Sequence, residues 1–255
     1  MDKHNIEIIG INGIPEIKPG DDIAELIIRS VSNQKCVIQE NDTFVIAQKI
    51  VSKSEGQFVH LSGVKPSSFA KIFSQKSGRD PRLIEVVLKD SRKIIKIDYD
   101  RGILITETHH GFICANSGVD SSNVGGDEVV LRLPKNPDLS ANKLVSKIQR
   151  LTGLSKLSVI ISDTFGRPWR EGHVNYSIGS AGIQPTVDYR GNKDTFDRVM
   201  KVTEIAIIDE MASAAELVMG KTLQIPVAII RGFQYQDNKL GTYSILRNEK
   251  TDMFR

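Results

Sequence analysis

The chain has 255 residues, with 34 basic and 31 acidic side chains giving a formal charge of +3, and 40% hydrophobic against 25% charged residues. This is an ordinary composition for a soluble enzyme; the charge is too small to mark a nucleic-acid partner, and no apolar run approaches the roughly 20 residues that span a bilayer. The charged N-terminus, MDKHNIEIIGING, lacks the apolar stretch of a secretory signal, and Cys36 and Cys114 suit neither a disulfide framework nor a structural zinc site, so a cytoplasmic protein in a reducing compartment is expected.

Residues 6–9 read as a short strand, after which Pro19, Gly20, Asp21 and Asp22 punctuate and cap an amphipathic helix, DIAELIIRSV. Residues 43–51 read as a strand that carries Lys49 and Lys53 to its far end. Pro66 and Pro81 fit the first turns of short helices, the second behind an Asp80 N-cap. Residues 94–99 and 103–108 form a hairpin through Asp100, Arg101 and Gly102. A strand over 128–133 closes at Pro134, and Ser140 is read as the cap of the helix ANKLVSKIQRL, which Gly153 ends.

Next come a buried strand, LSVII, at 157–161, and strand-like residues 174–180 opening into VDYRGNKD. An Ala-rich helix from about 204 to 219 stops at Gly220, and residues 225–230 return as a strand. Helices and strands mix without strict alternation, which predicts an α+β fold of mixed, largely antiparallel sheets with flanking helices. No repeat or flexible linker is visible, so any second domain is expected to arise by chain insertion, as two intertwined subdomains within 1–255.

The densest chemistry lies in SDTFGRPWREG, residues 162–172, read as a loop at the exit of the 157–161 strand and holding Asp163, Thr164, Arg167 and Arg170. A second oxygen-rich loop upstream holds Asn116, Asp120 and Asn123. Two such loops at strand ends can share a hard divalent cation, although composition alone leaves Asp120 and Asp163 equally readable as turn or N-cap residues. Guanidiniums match phosphate and carboxylate oxygens; surface ion pairs are the plainer alternative for Arg167 and Arg170. Lys49 and Lys53 fall on one face of a regular strand, a cationic face for a polyanion or an exposed edge-protecting pair. The stretch AELVMGKT imitates a phosphate-binding loop but runs from helix into strand, the reverse of the order that aims a helix N-terminus at phosphate. Lys221 then reads either as a phosphate contact or as a cation at a helix C-terminus.

These segments carry a resemblance. GIPEIKPGDD, VIAQKIVSKSEG, RDPRLIEVVL, CANSGVDSSNV, ISDTFGRPWREG, IGSAGI, DYRGNKD, DEMASAAELVMGK and IPVAIIRG occur in the order found in coenzyme F-420 gamma-glutamyl ligases, and the chain resembles that family almost end to end. Because it stops at Arg255, it resembles the stand-alone form without an appended C-terminal flavin domain. The resemblance implies a two-domain α+β homodimer that uses GTP to add L-glutamate to coenzyme F-420-0 and then a gamma-linked further glutamate. It also implies a divalent metal, Mn or Mg, and a monovalent cation such as K. Asp120, Asp163 and Thr164 are then the implied metal ligands. Ile14, Pro15, Glu16, Ile17, Gln48, Lys49, Lys53, Asn123, Gly220, Lys221, Thr222, Leu223 and Gln224 are implied to line the nucleotide site. On that reading Lys49, Lys53, Arg167 and Arg170 neutralise the transferred phosphoryl group. A metal-dependent phosphohydrolase and a non-catalytic deazaflavin or nucleotide carrier are the competing readings of the same residues.

Overall fold

A computed structural model describes residues 5–122, 124, 126 and 128–253. In chain order the elements are β1 (Glu7–Gly10), α1 (Ile23–Asn33), β2 (Thr43–Ala47), α2 (Gln48–Ser54), β3 (Phe58–His60), α3 (Ser68–Ser77), α4 (Pro81–Lys89), β4 (Ser91–Asp98), β5 (Ile103–Thr108) and β6 (Ile113–Ala115). They continue with β7 (Val129–Leu131), α5 (Pro137–Thr152), β8 (Ser158–Arg167), β9 (Arg170–Ala181), β10 (Val187–Asp188), β11 (Glu204–Ile205), α6 (Ile207–Met219) and β12 (Val227–Arg231). The fold is α+β, as expected from the sequence.

The central sheet has the order β1-β12-β2-β8-β9, and only the β2/β8 pair is parallel. Its strands alternate with period two. Phe44, Ile46, Val159, Ile161, Val227 and Ile229 pack with α1 and α5, whereas Val45, Ile160, Ala228 and Ile230 pack with α6. Burial on both faces explains why these strands read as unbroken apolar runs. Between α2 and α5 the chain builds a separate antiparallel sheet, β4-β5-β6, whose apolar cluster joins Ala70 and Phe73 of α3, Ile84 and Val87 of α4, and Leu104. Two small ribbons, β3/β7 and β10/β11, complete the strand pairing among the described residues.

Several boundaries follow the sequence closely. Asp22 caps α1 by accepting from the Glu25 N–H, Asp80 caps α4 with Pro81 at its first position, and Gly153 ends α5 at φ +74°. The β4/β5 hairpin stands where it was expected, and α6 runs into Gly220 before β12, so AELVMGKT has the helix-to-strand order that rules out a phosphate-binding loop.

Others are corrected. Residues 43–51 are not one strand: β2 ends at Ala47 and Gln48 begins a helix, a change that two adjacent apolar residues, Ile50 and Val51, cannot signal because they fit either period. Pro66 lies outside the first turn of α3, which Ser67 caps. Ser140 sits inside α5; the cap is Asn136, followed by Pro137, and the Ser140 hydroxyl donates back to the Asn136 carbonyl. Residues 204–205 are strand, and the helix starts at Ile207. Residues 162–172 are not a loop. β8 continues through Asp163 and Thr164 to Arg167 and turns back into β9, because Ser162 to Arg167 find cross-strand partners in β9 that no local propensity reveals. Among the described residues no helix is long and apolar enough to cross a membrane.

Candidate active site

The parallel pairing of β2 and β8, with Ala47 opposite Ser162, brings the C-terminal halves of both strands to one end of the sheet. β12 begins beside them, with Val227 opposite Ile46, so the segment that precedes it arrives at the same end. β1 leaves there too, its Gly10 opposite Ala228. A cavity of about 990 Å3 opens at this junction, near the upper end of the roughly 300–1,000 Å3 usual for ligand pockets.

The cavity gathers most of the residues singled out in the sequence. Ile14, Pro15, Glu16 and Ile17 line it, with Gln48, Lys49, Lys53, Asp120, Asp163, Thr164, Gly220, Lys221, Thr222 and Gln224. Leu223, more than half exposed, is not part of its wall. Arg167 and Arg170 are not among its lining residues: they pair across the tip of the β8/β9 hairpin, on either side of the turn that holds the exposed Trp169. Their sequence proximity to Asp163 misled because an extended strand carries residues about 3.3 Å further apart at each step. Asn123 lies outside the described residues. Ser122, Ser162, Asn175 and Glu216 are wall residues that the sequence did not reveal. Asn175 and Glu216 need the hairpin pairing and the α6 packing to reach the site.

Lys49 and Lys53 share a face after all, because spacing of four also aligns residues on a helix. Lys49 donates to the Ser122 carbonyl at 2.8 Å and lies 2.8 Å from Asp120 Oδ2. Lys53, 5% exposed, pairs with Glu16. This excludes the exposed, edge-protecting role for Lys53. Gln48 is also buried and donates to Ser52 Oγ at 2.6 Å.

The two aspartates differ in electrostatics. Asp120 is held by an isolated bridge to Leu131, and its Oδ1 accepts from both Ser122 N and Ser122 Oγ at 2.7 Å. Burial works to raise its carboxyl, but the Lys49 ammonium and the two Ser122 donors outweigh it and hold the group below the ordinary carboxylate range. Asp163 lines the cavity and keeps only part of its surface accessible. Burial pushes its carboxyl up to about 6; the Thr164 N–H, 2.8 Å from Oδ1, opposes this, and the Asp120 charge adds to it.

Thr164 belongs to a closed ring of contacts. Its hydroxyl donates to Asn175 Oδ1 at 2.6 Å, and Asn175 Nδ2 donates to Glu216 Oε2 at 2.9 Å. Glu216 Oε1 lies 3.2 Å from Lys221 Nζ, which donates to Thr164 Oγ1 at 2.5 Å.

Residues 12–232 match the family described as F420-0:Gamma-glutamyl ligase. The chain belongs to this family. Relatives named coenzyme F420:L-glutamate ligase include one from Methanothermobacter thermautotrophicus, 42% identical over 98% of this chain and 99% of its own. Another, from Methanopyrus kandleri, is 40% identical over 94% of both chains. A third, from Methanocaldococcus jannaschii, is 41% identical over 100% of this chain and 98% of its own. The F420-0:gamma-glutamyl ligase match spans every segment that lines the cavity.

The donor chemistry fits a hard divalent cation. The carboxylates of Asp120 and Asp163 line one cavity, and Ser162 Oγ is buried there without a hydrogen-bond partner. Among the described residues no group of three or more His, Cys, Asp or Glu is gathered to hold a metal by protein ligands alone. A site with two carboxylates suits an ion that takes its remaining ligands from phosphate and water.

Proposed function

We propose that the protein uses GTP to join L-glutamate to coenzyme F-420-0, forming an amide on its terminal lactyl carboxylate and then a gamma-linked bond to a second glutamate. The observation that carries this reading is the convergence of Asp120, Asp163, Lys49 and Lys53 on one large cavity, in a chain whose relatives bear the name of that ligase.

A carboxylate is a poor acyl donor until one of its oxygens becomes part of a leaving group. In the proposed sequence the substrate carboxylate attacks the γ-phosphorus of GTP, GDP departs, and an acyl phosphate forms. The glutamate amine attacks the acyl carbon, inorganic phosphate departs, and the amine gives up a proton. Asp120 and Asp163 would hold a divalent ion, Mn or Mg, which when bound would supply positive charge beside the phosphate groups. Lys49 and Lys53, aligned on α2, add charge beside it. Glu16 and Asp120 now occupy these ammoniums and keep them oriented before the nucleotide enters. The hydroxyl of Thr164, the third implied metal ligand, is already engaged by Lys221 and Asn175.

A homodimer and a potassium requirement belong to the same reading. So does a subdomain inserted between α2 and α5, supported by the separate apolar cluster there. The test is mass spectrometry of purified protein with coenzyme F-420-0, L-glutamate, GTP, Mn2+ and K+, omitting each in turn. Glutamyl mass increments that require both GTP and metal support the ligase. GTP breakdown that needs no glutamate refutes it in favour of a phosphohydrolase, and binding without turnover refutes it in favour of a carrier.

A further inference from the structure

We propose that the Lys221 ammonium is a built-in cation of the phosphate site, occupying the position on the Thr164 hydroxyl that a second metal ion would otherwise take. The proposal rests on the ligase reading for its phosphate, but its geometry stands independently.

The directions of the hydrogen bonds fix the argument. Asn175 spends its amide N–H on Glu216 Oε2, so its Oδ1 faces Thr164 and takes the hydroxyl proton. With its proton committed, Thr164 Oγ1 presents lone pairs only, which makes it a ligand for a cation. Lys221 Nζ fills that role, with Glu216 Oε1 supplying the opposing charge. The carboxylate of Glu216 and the hydroxyl of Thr164 thus meet at one position as oxygen donors of the kind hard cations choose. An ammonium at hydrogen-bond distance excludes a divalent ion from the same oxygen, because the two charges would stand almost in contact.

The alternative, that Lys221 only balances the C-terminal end of α6, does not account for this placement. Lys221 Nζ reaches across to β8 rather than lying on the last carbonyls of its own helix. Two of its N–H groups are used, on Thr164 and Glu216, and the third is available to a phosphate oxygen in the cavity that Lys221 lines. Lys221 is also one of the positive charges that temper the Asp163 carboxyl, so it lies within electrostatic reach of that aspartate.

The position is tested by counting bound Mn2+ with electron paramagnetic resonance, using the metal alone and the metal with a nonhydrolysable GTP analogue. Parent protein, Lys221→Glu and the double variant Lys221→Glu/Thr164→Val are compared after thermal unfolding has shown each to be folded. Replacing the ammonium by a carboxylate is expected to add one Mn2+ per chain, and removing the Thr164 hydroxyl as well is expected to abolish the gain. In parallel, Lys221→Ala should lower phosphoryl transfer about 100-fold, with partial recovery in ammonium but none in tetramethylammonium. Equal Mn2+ counts in the parent and Lys221→Glu overturn the proposal, as does a gain that survives in the double variant. Because the count uses neither coenzyme F-420-0 nor glutamate, it remains decisive even if no glutamyl product forms.

Discussion

Replacing Asp163 with asparagine separates a functional carboxylate from a structural one, and the structure sets the size of the effect. The metal-free fold raises this carboxyl from 3.8 to about 6, chiefly by burial, which at about 1.4 kcal/mol per pH unit amounts to roughly 3 kcal/mol. The native state therefore binds this proton more tightly than the unfolded chain does. Its stabilising contribution is fully present below pH 3.8 and disappears as pH rises through about 6. At pH 8 the metal-free parent carries the full penalty of a poorly solvated charge. Asparagine removes that charge and keeps an oxygen for the Thr164 N–H, so Asp163→Asn is expected to be more stable than the parent at pH 8, by up to about 3 kcal/mol, with the advantage lost at pH 4. Urea unfolding of both proteins in chelator at the two pH values measures this directly. Added Mn2+ should raise the unfolding midpoint of the parent and not of the variant, and product formation should fall at least 100-fold, to order of magnitude. A variant that is less stable than the parent at pH 8 without metal would refute the reasoning and make Asp163 a scaffold residue.

Three further outcomes are expected. Lys49→Met removes the partner of Asp120, so the Asp120 carboxyl should move upward and GTP-driven turnover should fall about 100-fold, read from kcat and the KM for GTP with urea unfolding as control. Asp42 is fully buried and receives Arg231 Nε at 2.9 Å and Nη2 at 2.8 Å; Asp42→Ala leaves that guanidinium without its counter-charge and should cost about 3 kcal/mol in urea unfolding. At Gly179 an added Cβ would overlap the Pro137 backbone, where β9 crosses the start of α5, so Gly179→Ala should destabilise the protein by about 2 kcal/mol, seen as a lowered Tm.

Sequence reading succeeded where the signal is local. Asp22, Asp80 and Gly153 mark helix ends through their own side chains or lack of one, and the structure uses all three. The apolar runs at 43–47 and 157–161 identify buried strands without showing that they lie side by side and parallel, which is what creates the cavity. The site was legible as a set of residue types, and the resemblance sorted those types into one place. It failed in reading residues 162–172 as one loop, where closeness in sequence was taken for closeness in space, although the chain is extended from Asp163 to Arg167. It also failed at Asn175 and Glu216, which join Thr164 from β9 and α6 through pairing that no short window contains.

The strand order also constrains how a ribosome-bound chain can mature. β12, the last strand of the central sheet to be synthesised, lies between two of the earliest, β1 and β2. Until residue 231 has emerged, β1 has no neighbour in that sheet and one edge of β2 stays unpaired, with Phe44, Val45 and Ile46 on it. Such an edge invites pairing with other nascent chains. Slow translation through α6 would prolong that exposure, whereas prompt delivery of residues 227–231 would insert the strand that separates the two and sets 220–226 against Lys49 and Asp163 in the same event.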